Sequence, residues 1–220
     1  MILPDFSEES KLWKKGYKYI IGVDEVGRGA FAGPVSAAAV VFKCGTDELK
    51  GLGINDSKLL KPNSRKKLSK LIQDGCISCS VATIPVSKIN KVGIGKATEM
   101  AFRKAINDVL IHLSKNTKCH IQDAKYYLLA DGFHIKHVRK IGLKNQKAII
   151  KGDRKSISIA AASIIAKVHR DSLMKKLSKK YPEYGFGKHK GYGTKAHQSA
   201  IKRYGLSKIH RTSFNLSKFL

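Results

Sequence analysis

The residues best placed to do chemistry here are acidic, in a 220-residue chain where 43 Lys and Arg outnumber 16 Asp and Glu for a formal charge of +27. Three acidic segments each close a short apolar run: Asp24-Glu25 after Ile20-Ile21-Gly22-Val23, Asp131 after Leu128-Leu129-Ala130, and Asp153 after Ile149-Ile150-Lys151-Gly152. Such runs read as strands, and strand ends are where sheet proteins assemble sites. Taken singly, an Asp beside a Gly is a turn residue. Four carboxylates gathered in one place would repel one another and resist ionising unless cations sat among them. Oxygen donors of this kind suit hard divalent ions, Mg²⁺ or Mn²⁺. Two such ions about 3.5 to 4 Å apart can activate a water and stabilise a leaving oxygen at a phosphodiester. The chemistry expected is metal-assisted phosphodiester hydrolysis.

The charge agrees with that substrate class. A pI near 10.0 predicts attraction to polyanions, nucleic acid first among them, with an affinity that falls steeply as salt rises. The competing reading is a basic nucleic-acid-binding protein without catalysis. At 42% hydrophobic residues the chain is long enough to bury a core without disulfides. No apolar run approaches the roughly 20 residues that span a bilayer. Asp5, Glu8 and Glu9 stand where a signal peptide would be basic and then apolar. The expectation is a cytoplasmic protein with no membrane contact. Cys76 and Cys79 form an isolated C-x-x-C, read as structural thiols in a reducing compartment.

The elements that must position the acids follow from periodicity. Residues 1–18 read as a loosely attached lead-in, and 19–220 as one domain. Tyr19 to Val26 and Pro34 to Phe42 read as neighbouring strands joined across Gly27 to Gly33. A helix opening at Pro62 and ending at Gly75 precedes a strand from Cys76 to Ile84. From Ile94 to Leu113 apolar residues recur at three and four, which predicts an amphipathic helix. Tyr126 to Ala130 and Lys147 to Lys151 read as buried strands. A helix from about Ser156 to Lys180 puts Ala161, Ile164, Ile165 and Val168 on one stripe and Lys167 and Arg170 opposite, with Leu173 and Leu177 on a different stripe. It must bend or touch two surfaces. A last helix is expected from Thr194 to Tyr204. Hairpins first and strands mixed with helices later predict an α/β domain with a mixed central sheet flanked by helices, ending in a C-terminal helical segment.

One geometric difficulty arises: Asp24 and Glu25 point to opposite faces of any regular strand, so the strand is expected to end or twist there, helped by Gly27 and Gly29. Gly22-x4-Gly27 opens like a P-loop, but Arg28-Gly29 stands where Lys-Ser or Lys-Thr is required. A nucleoside-triphosphate site is therefore not expected.

GVDEVGRGAFAGPV, from Gly22 to Val35, resembles the opening motif of ribonuclease HII, the type 2 ribonuclease H family. GINDSKLL from Gly53, LLADG from Leu128, KGD from Lys151, SIAAASIIAKVHRD ending at Asp171, YGFGKHKGYGT from Tyr184 and IHRTSF from Ile209 follow in the same order. The resemblance covers roughly residues 19 to 215. It implies a ribonuclease H-like fold. It implies an endonuclease that cuts RNA in RNA/DNA hybrids and at single ribonucleotides in duplex DNA, leaving 3′-hydroxyl and 5′-phosphate ends; a monomer is expected. Carried over by motif, the catalytic and metal-binding carboxylates are Asp24, Glu25, Asp131 and Asp153. Gly27, Arg28 and Gly29 match the loop that reads the RNA-to-DNA junction, and Tyr192 matches the aromatic that packs on the next sugar. Lys58, Lys167 and Arg170 are expected as phosphate contacts, with residues 181–220 binding substrate. His189 and His197 are expected in substrate contact or packing, not as general bases. The type 3 sister enzyme is the nearest competitor. The short tail after IHRTSF makes a sliding-clamp partner unexpected.

Overall fold

β1 (Tyr19–Val26) is the centre of the fold, apolar enough to be covered on both faces. The computed structural model describes residues 3–46, 52–116 and 125–220. β1 pairs antiparallel with β2 (Val35–Val41), which pairs antiparallel with β3 (Ser78–Ile84). On its other side β1 pairs parallel with β4 (Tyr126–Asp131), which pairs parallel with β5 (Gln146–Ile149). The mixed sheet therefore runs β3-β2-β1-β4-β5. The helices, in chain order, are α1 (Ser7–Lys14), α2 (Pro62–Gly75), α3 (Val86–Val92), α4 (Ile94–Asn116), α5 (Ile157–Lys180), α6 (Phe186–His189) and α7 (Lys195–Tyr204).

The two faces of the sheet divide the core. α4 packs Ala97, Ala101, Phe102, Ala105, Ile106 and Val109 beneath one face, with Ile21, Val23, Ala37 and Ala39 above them. α2 and α5 cover the other, where Ala160, Ala161, Ile164 and Ile165 meet Ala38, Val40 and Ile72. Small residues let α5 lie close on β1. At Gly22 a Cβ would fall 2.2 Å from the Ser158 carbonyl carbon, so only glycine permits this approach. The second half of α5 serves a separate cluster, in which Met174 and Leu177 pack with Tyr184 and Phe186. The two stripes of α5 therefore touch two surfaces.

The sequence reading differs from the structure at the N-terminus. Residues 1–18 were expected as a loose lead-in, yet Phe6 and Leu12 are buried and α1 is stitched to the start of α5. Ile157 donates its N–H to the Asp5 carbonyl at 3.1 Å. Glu9, fully buried, accepts from Ser156 Oγ at 2.6 Å and from the Ser158 N–H at 2.9 Å. Ser156 in turn caps α5 by accepting from the Ile159 N–H. A carboxylate here faces unpaired helix amides and the positive end of the helix dipole. α1 escaped the sequence reading because so short a helix buries too few residues to show a period. Glu9→Ala is expected to destabilise the protein by about 2 kcal/mol. Urea denaturation checks this, and an unchanged midpoint would restore the loose lead-in.

Strand ends shift too. The fifth strand was expected to reach Lys151, but it stops at Ile149, and Lys151 adopts a left-handed φ of 54°. Cys76 and Cys79 are free, half-buried thiols packed against the α2/α5 side of the core.

Candidate active site

Asp24, Asp131 and Asp153 converge. One carboxylate oxygen from each lies within 4.8 Å of the others. Asp24 projects from β1 toward α5, and its Oδ1 accepts the N–H of Glu25 at 2.7 Å. Asp131 ends β4, the parallel neighbour of β1. Its Oδ1 accepts the Gly152 N–H at 2.7 Å, which ties down the turn after β5. The left-handed residue Lys151 reverses the chain there, and a single 3₁₀ turn (Gly152–Arg154) returns Asp153 to the cluster. At Gly152 a Cβ would sit 2.6 Å from Ile159 Cδ1, so any side chain there must displace Ile159.

The electrostatics are those of charges short of counter-ions. Burial pushes the Asp24 carboxyl well above its usual range, and the charges of Glu25 and Asp131 add to it. Asp153 is raised to about 6, first by burial and then by Asp56 and Asp131. Lys58 faces this cluster. Burial would lower its pKa, but Asp56, Asp153, Asp24 and Asp131 together hold it raised. Three clustered oxygen donors, with burial raising the proton affinity of Asp24 and Asp153, fit a hard divalent cation.

Glu25 stands apart. β1 neither ends nor breaks at Glu25, which pairs regularly with Ala37 as Asp24 does with Ala38. The strand ends one residue later, at Val26 before the left-handed Gly27, and strand alternation sends the two side chains to opposite faces. Glu25 lies outside the three-carboxylate group, 3.7 Å from Arg28. Burial raises its pKa, and Asp131 adds to this against the pull of Arg28, so it stays within electrostatic reach of the cluster.

The Gly27-Arg28-Gly29 loop is held from below by the buried Arg211, and the segment that follows it by the buried Arg170. Arg211 donates to the carbonyls of Gly27 (2.6 Å), Arg28 (2.7 Å) and Gly33 (3.0 Å). Arg170 donates to those of Pro34 (2.8 Å), Lys190 (3.0 Å) and Ala32 (3.3 Å). All the described peptide bonds are trans. With the Gly27 and Arg28 carbonyls turned inward, the N–H groups of Arg28 and Gly29 on the same peptide planes must face outward. Gly27 itself must be glycine: its φ is 91°, and a Cβ would lie 2.0 Å from Arg170 Nε.

The family is decided by sequence. The chain matches the family model "Ribonuclease HII" over residues 21–217. This chain belongs to the ribonuclease HII family. It is 46% identical over 215 residues to "Ribonuclease HII" of Chloroherpeton thalassium, covering 97% of each chain. The ribonuclease H2 of Pyrococcus horikoshii superposes with a TM-score of 0.66 at 24% identity, over 91% of this chain and 95% of that one. The type 3 enzyme Bst-RNase HIII, solved in complex with Mn²⁺, gives 0.65 at 21% identity over 91% and 68%. These structures share the α/β ribonuclease H-like fold. The activity is that of ribonuclease HII: cleavage of RNA in RNA/DNA hybrids and excision of single embedded ribonucleotides.

Within this ribonuclease HII chain the remaining expected site residues divide. Tyr192 is half-buried, its ring 5.5 Å from the Arg170 guanidinium and 5.9 Å from Lys167 Nζ. Arg170 itself corrects the sequence reading. It was placed opposite the apolar stripe as a phosphate contact, but it is fully buried and its guanidinium is occupied by three carbonyls. The C-terminal segment folds over that face of α5, which periodicity along one helix does not reveal. Lys167 pairs with Asp171 at 2.8 Å. His197 and His189 pack as stacked rings, and His197 Nε2 lies 3.0 Å from His210 Nε2. Burial holds all three histidines below their usual pKa, His197 at about 4, so this is a neutral packing cluster.

Two residues were missed. Asp56, almost fully buried, accepts the Lys58 N–H at 2.9 Å and pairs with Arg154 at 3.0 Å, setting the loop that carries Lys58. Arg211 lay in plain view in IHRTSF. Its signal was an arginine beside apolar residues, far from any acid in sequence.

Proposed function

We propose that Asp24, Asp131 and Asp153 hold Mg²⁺ or Mn²⁺ directly, that Glu25 completes the set at its edge, and that this centre hydrolyses a phosphodiester at a ribonucleotide. The observation carrying this reading is the convergence of three aspartates from β1, β4 and the turn after β5 to within 4.8 Å. When bound, the ions supply Lewis-acid stabilisation of charge on the attacking and leaving oxygens. Asp24, buried against α5, fixes the inner position, while the Gly152 N–H orients the Asp131 carboxylate. Lys58 offers a cation to the phosphate at the mouth of the site. The products are a 3′-hydroxyl and a 5′-phosphate.

Selectivity is assigned to the outward N–H groups of Arg28 and Gly29, which offer donors to a 2′-hydroxyl at backbone range, the one group separating RNA from DNA. Tyr192, backed by the Arg170 cation, presents a ring to the sugar that follows. Residues 181–220 form part of the same domain, and the protein acts as a cytoplasmic monomer.

The test is a DNA duplex carrying one ribonucleotide, incubated with Mg²⁺ and with EDTA. Nicking at that position, abolished by chelator, is expected. Tyr192→Ala should lower nicking at the isolated ribonucleotide by about 10-fold, given roughly 1–3 kcal/mol for an aromatic stacking contact. Long hybrids, which offer many registers, should lose less. Equal losses on both substrates would remove Tyr192 from junction reading.

A further inference from the structure

Beside Tyr192 the surface hollows into a pocket of about 540 Å³ whose charge the catalytic site does not use. Three stretches remote in sequence build it. α2 contributes Arg65, Lys66 and Lys70, α5 contributes Lys167 and Lys175, and the segment around α6 contributes Lys188 and Lys190. Against these cations the lining holds one carboxylate, Asp171, already engaged by Lys167 at 2.8 Å and Arg65 at 3.8 Å. A basic chain scatters lysines over its surface. Gathering seven cations in a concavity with a single, already paired acid leaves repulsion that an anion would relieve.

Several groups are fixed in place. Arg65 donates to the carbonyls of Ser57 and Leu60, both at 2.6 Å, so this wall of the pocket is bound to the loop carrying Lys58. Lys190 Nζ is held by the carbonyls of Gly187 and Lys188. Burial lowers the Lys190 pKa, and Lys175, Lys167 and Arg65 lower it further against the attraction of Asp171. The lining contains no aromatic ring on which a base could stack, while Ser69, Gln73 and Ser172 add neutral polar groups. That chemistry suits a sugar-phosphate backbone and not a nucleobase. Lys167 belongs both to the pocket and to the contact under the Tyr192 ring, so pocket and junction-reading ring are contiguous.

We propose that this pocket is a second phosphate-binding site, which grips the backbone of the substrate duplex beyond the nucleotide packed on Tyr192. The proposal rests on the nuclease reading above. Its role is affinity and register, because backbone contacts position a duplex without reading its sequence.

The experiment compares Lys70→Ala/Lys175→Ala/Lys188→Ala with a control of equal charge loss on the opposite side of the sheet and its edge, Lys96→Ala/Lys104→Ala/Lys144→Ala. Binding of an uncut single-ribonucleotide duplex is measured in EDTA at several salt concentrations, with inorganic tripolyphosphate as a second ligand. For the pocket variant, the slope of log K against log salt is expected to shrink by roughly 2 to 3, at about 0.9 for each phosphate that the protein no longer neutralises. The control should keep a slope within about 0.5 of the parent. Equal slopes for the two variants would overturn the proposal. So would tight tripolyphosphate binding that the pocket variant loses while its duplex slope is unchanged, which would mark a small-anion site instead. Failure of the parent to nick would sink the nuclease reading separately, since the binding measurement needs no turnover.

Discussion

Asp24→Asn is expected to reduce cleavage by about 10³-fold or more, roughly 4 kcal/mol of lost transition-state stabilisation, while leaving duplex binding intact. Asn keeps the shape and can still accept the Glu25 N–H that Asp24 Oδ1 holds at 2.7 Å. What it removes is the charge at a buried position of the cluster. The same substitution should stabilise the metal-free protein. Asp153 titrates near 6 when folded against 3.8 as a free side chain, so between those values the folded state carries the extra proton. Stability of the metal-free protein therefore declines as pH rises from 3.8 to about 6 and stays lower above that. Asp24, raised in the same direction, adds to this penalty at neutral pH. Removing its charge should raise the melting temperature without metal at pH 8 by about 2–4 °C for each kcal/mol relieved. Mg²⁺ should raise the melting temperature of the parent and not of the variant. Parent-like cleavage by Asp24→Asn would show that the centre has been misassigned.

Arg211→Met carries the second large effect, about 3 kcal/mol of lost stability together with a fall of more than about 10-fold in nicking by the protein that remains folded. Arg211 is fully buried and pushed down to about 9 by burial and by the neighbouring Arg170, so it is still charged at neutral pH. Its three acceptors are backbone carbonyls, two of them in the Gly27-Arg28-Gly29 loop. Met fills the volume but leaves those carbonyls unpaired in the interior, and such groups cost about 1–3 kcal/mol each before the loop relaxes. A relaxed loop no longer turns the Arg28 and Gly29 amides outward. Arg211→Lys keeps a charge but not the planar fork and should fall between the two. Thermal denaturation with nicking assays below the transition measures both effects. A variant that loses stability but nicks normally would reduce Arg211 to a packing role.

The acidic centre was legible in the sequence because each aspartate closes an apolar run, and the burial of such runs in a sheet dictates where they end. Asp131 closes β4 as expected, whereas Asp153 lies beyond the end of β5 and returns on a 3₁₀ turn. Glu25 did not settle with the others: the strand was expected to end or twist there, but it pairs regularly through Glu25 and ends only at Val26, leaving three carboxylates together and the fourth beside Arg28. Periodicity likewise assigned one buried face to the first half of α5; that face packs as expected, but every residue from Ile157 to Ala166 is buried, because the helix is covered on all sides there. It misjudged Arg170, because the side of a helix that faces water is decided by whatever else folds onto it.

The sequence alone determined the α/β class, the five strands and the helices α2, α4, α5 and α7 in chain order, the acids and the attraction to polyanions, all of which depend on local apolar spacing, composition and short motifs. Only the tertiary structure decided that Arg170 and Arg211 become an interior scaffold for a loop, that Glu9 caps a helix begun 147 residues later at Ser156, and that seven scattered cations share one hollow. Each of these joins residues distant along the chain, where proximity is set by how layers pack and not by any repeat that neighbouring positions can carry.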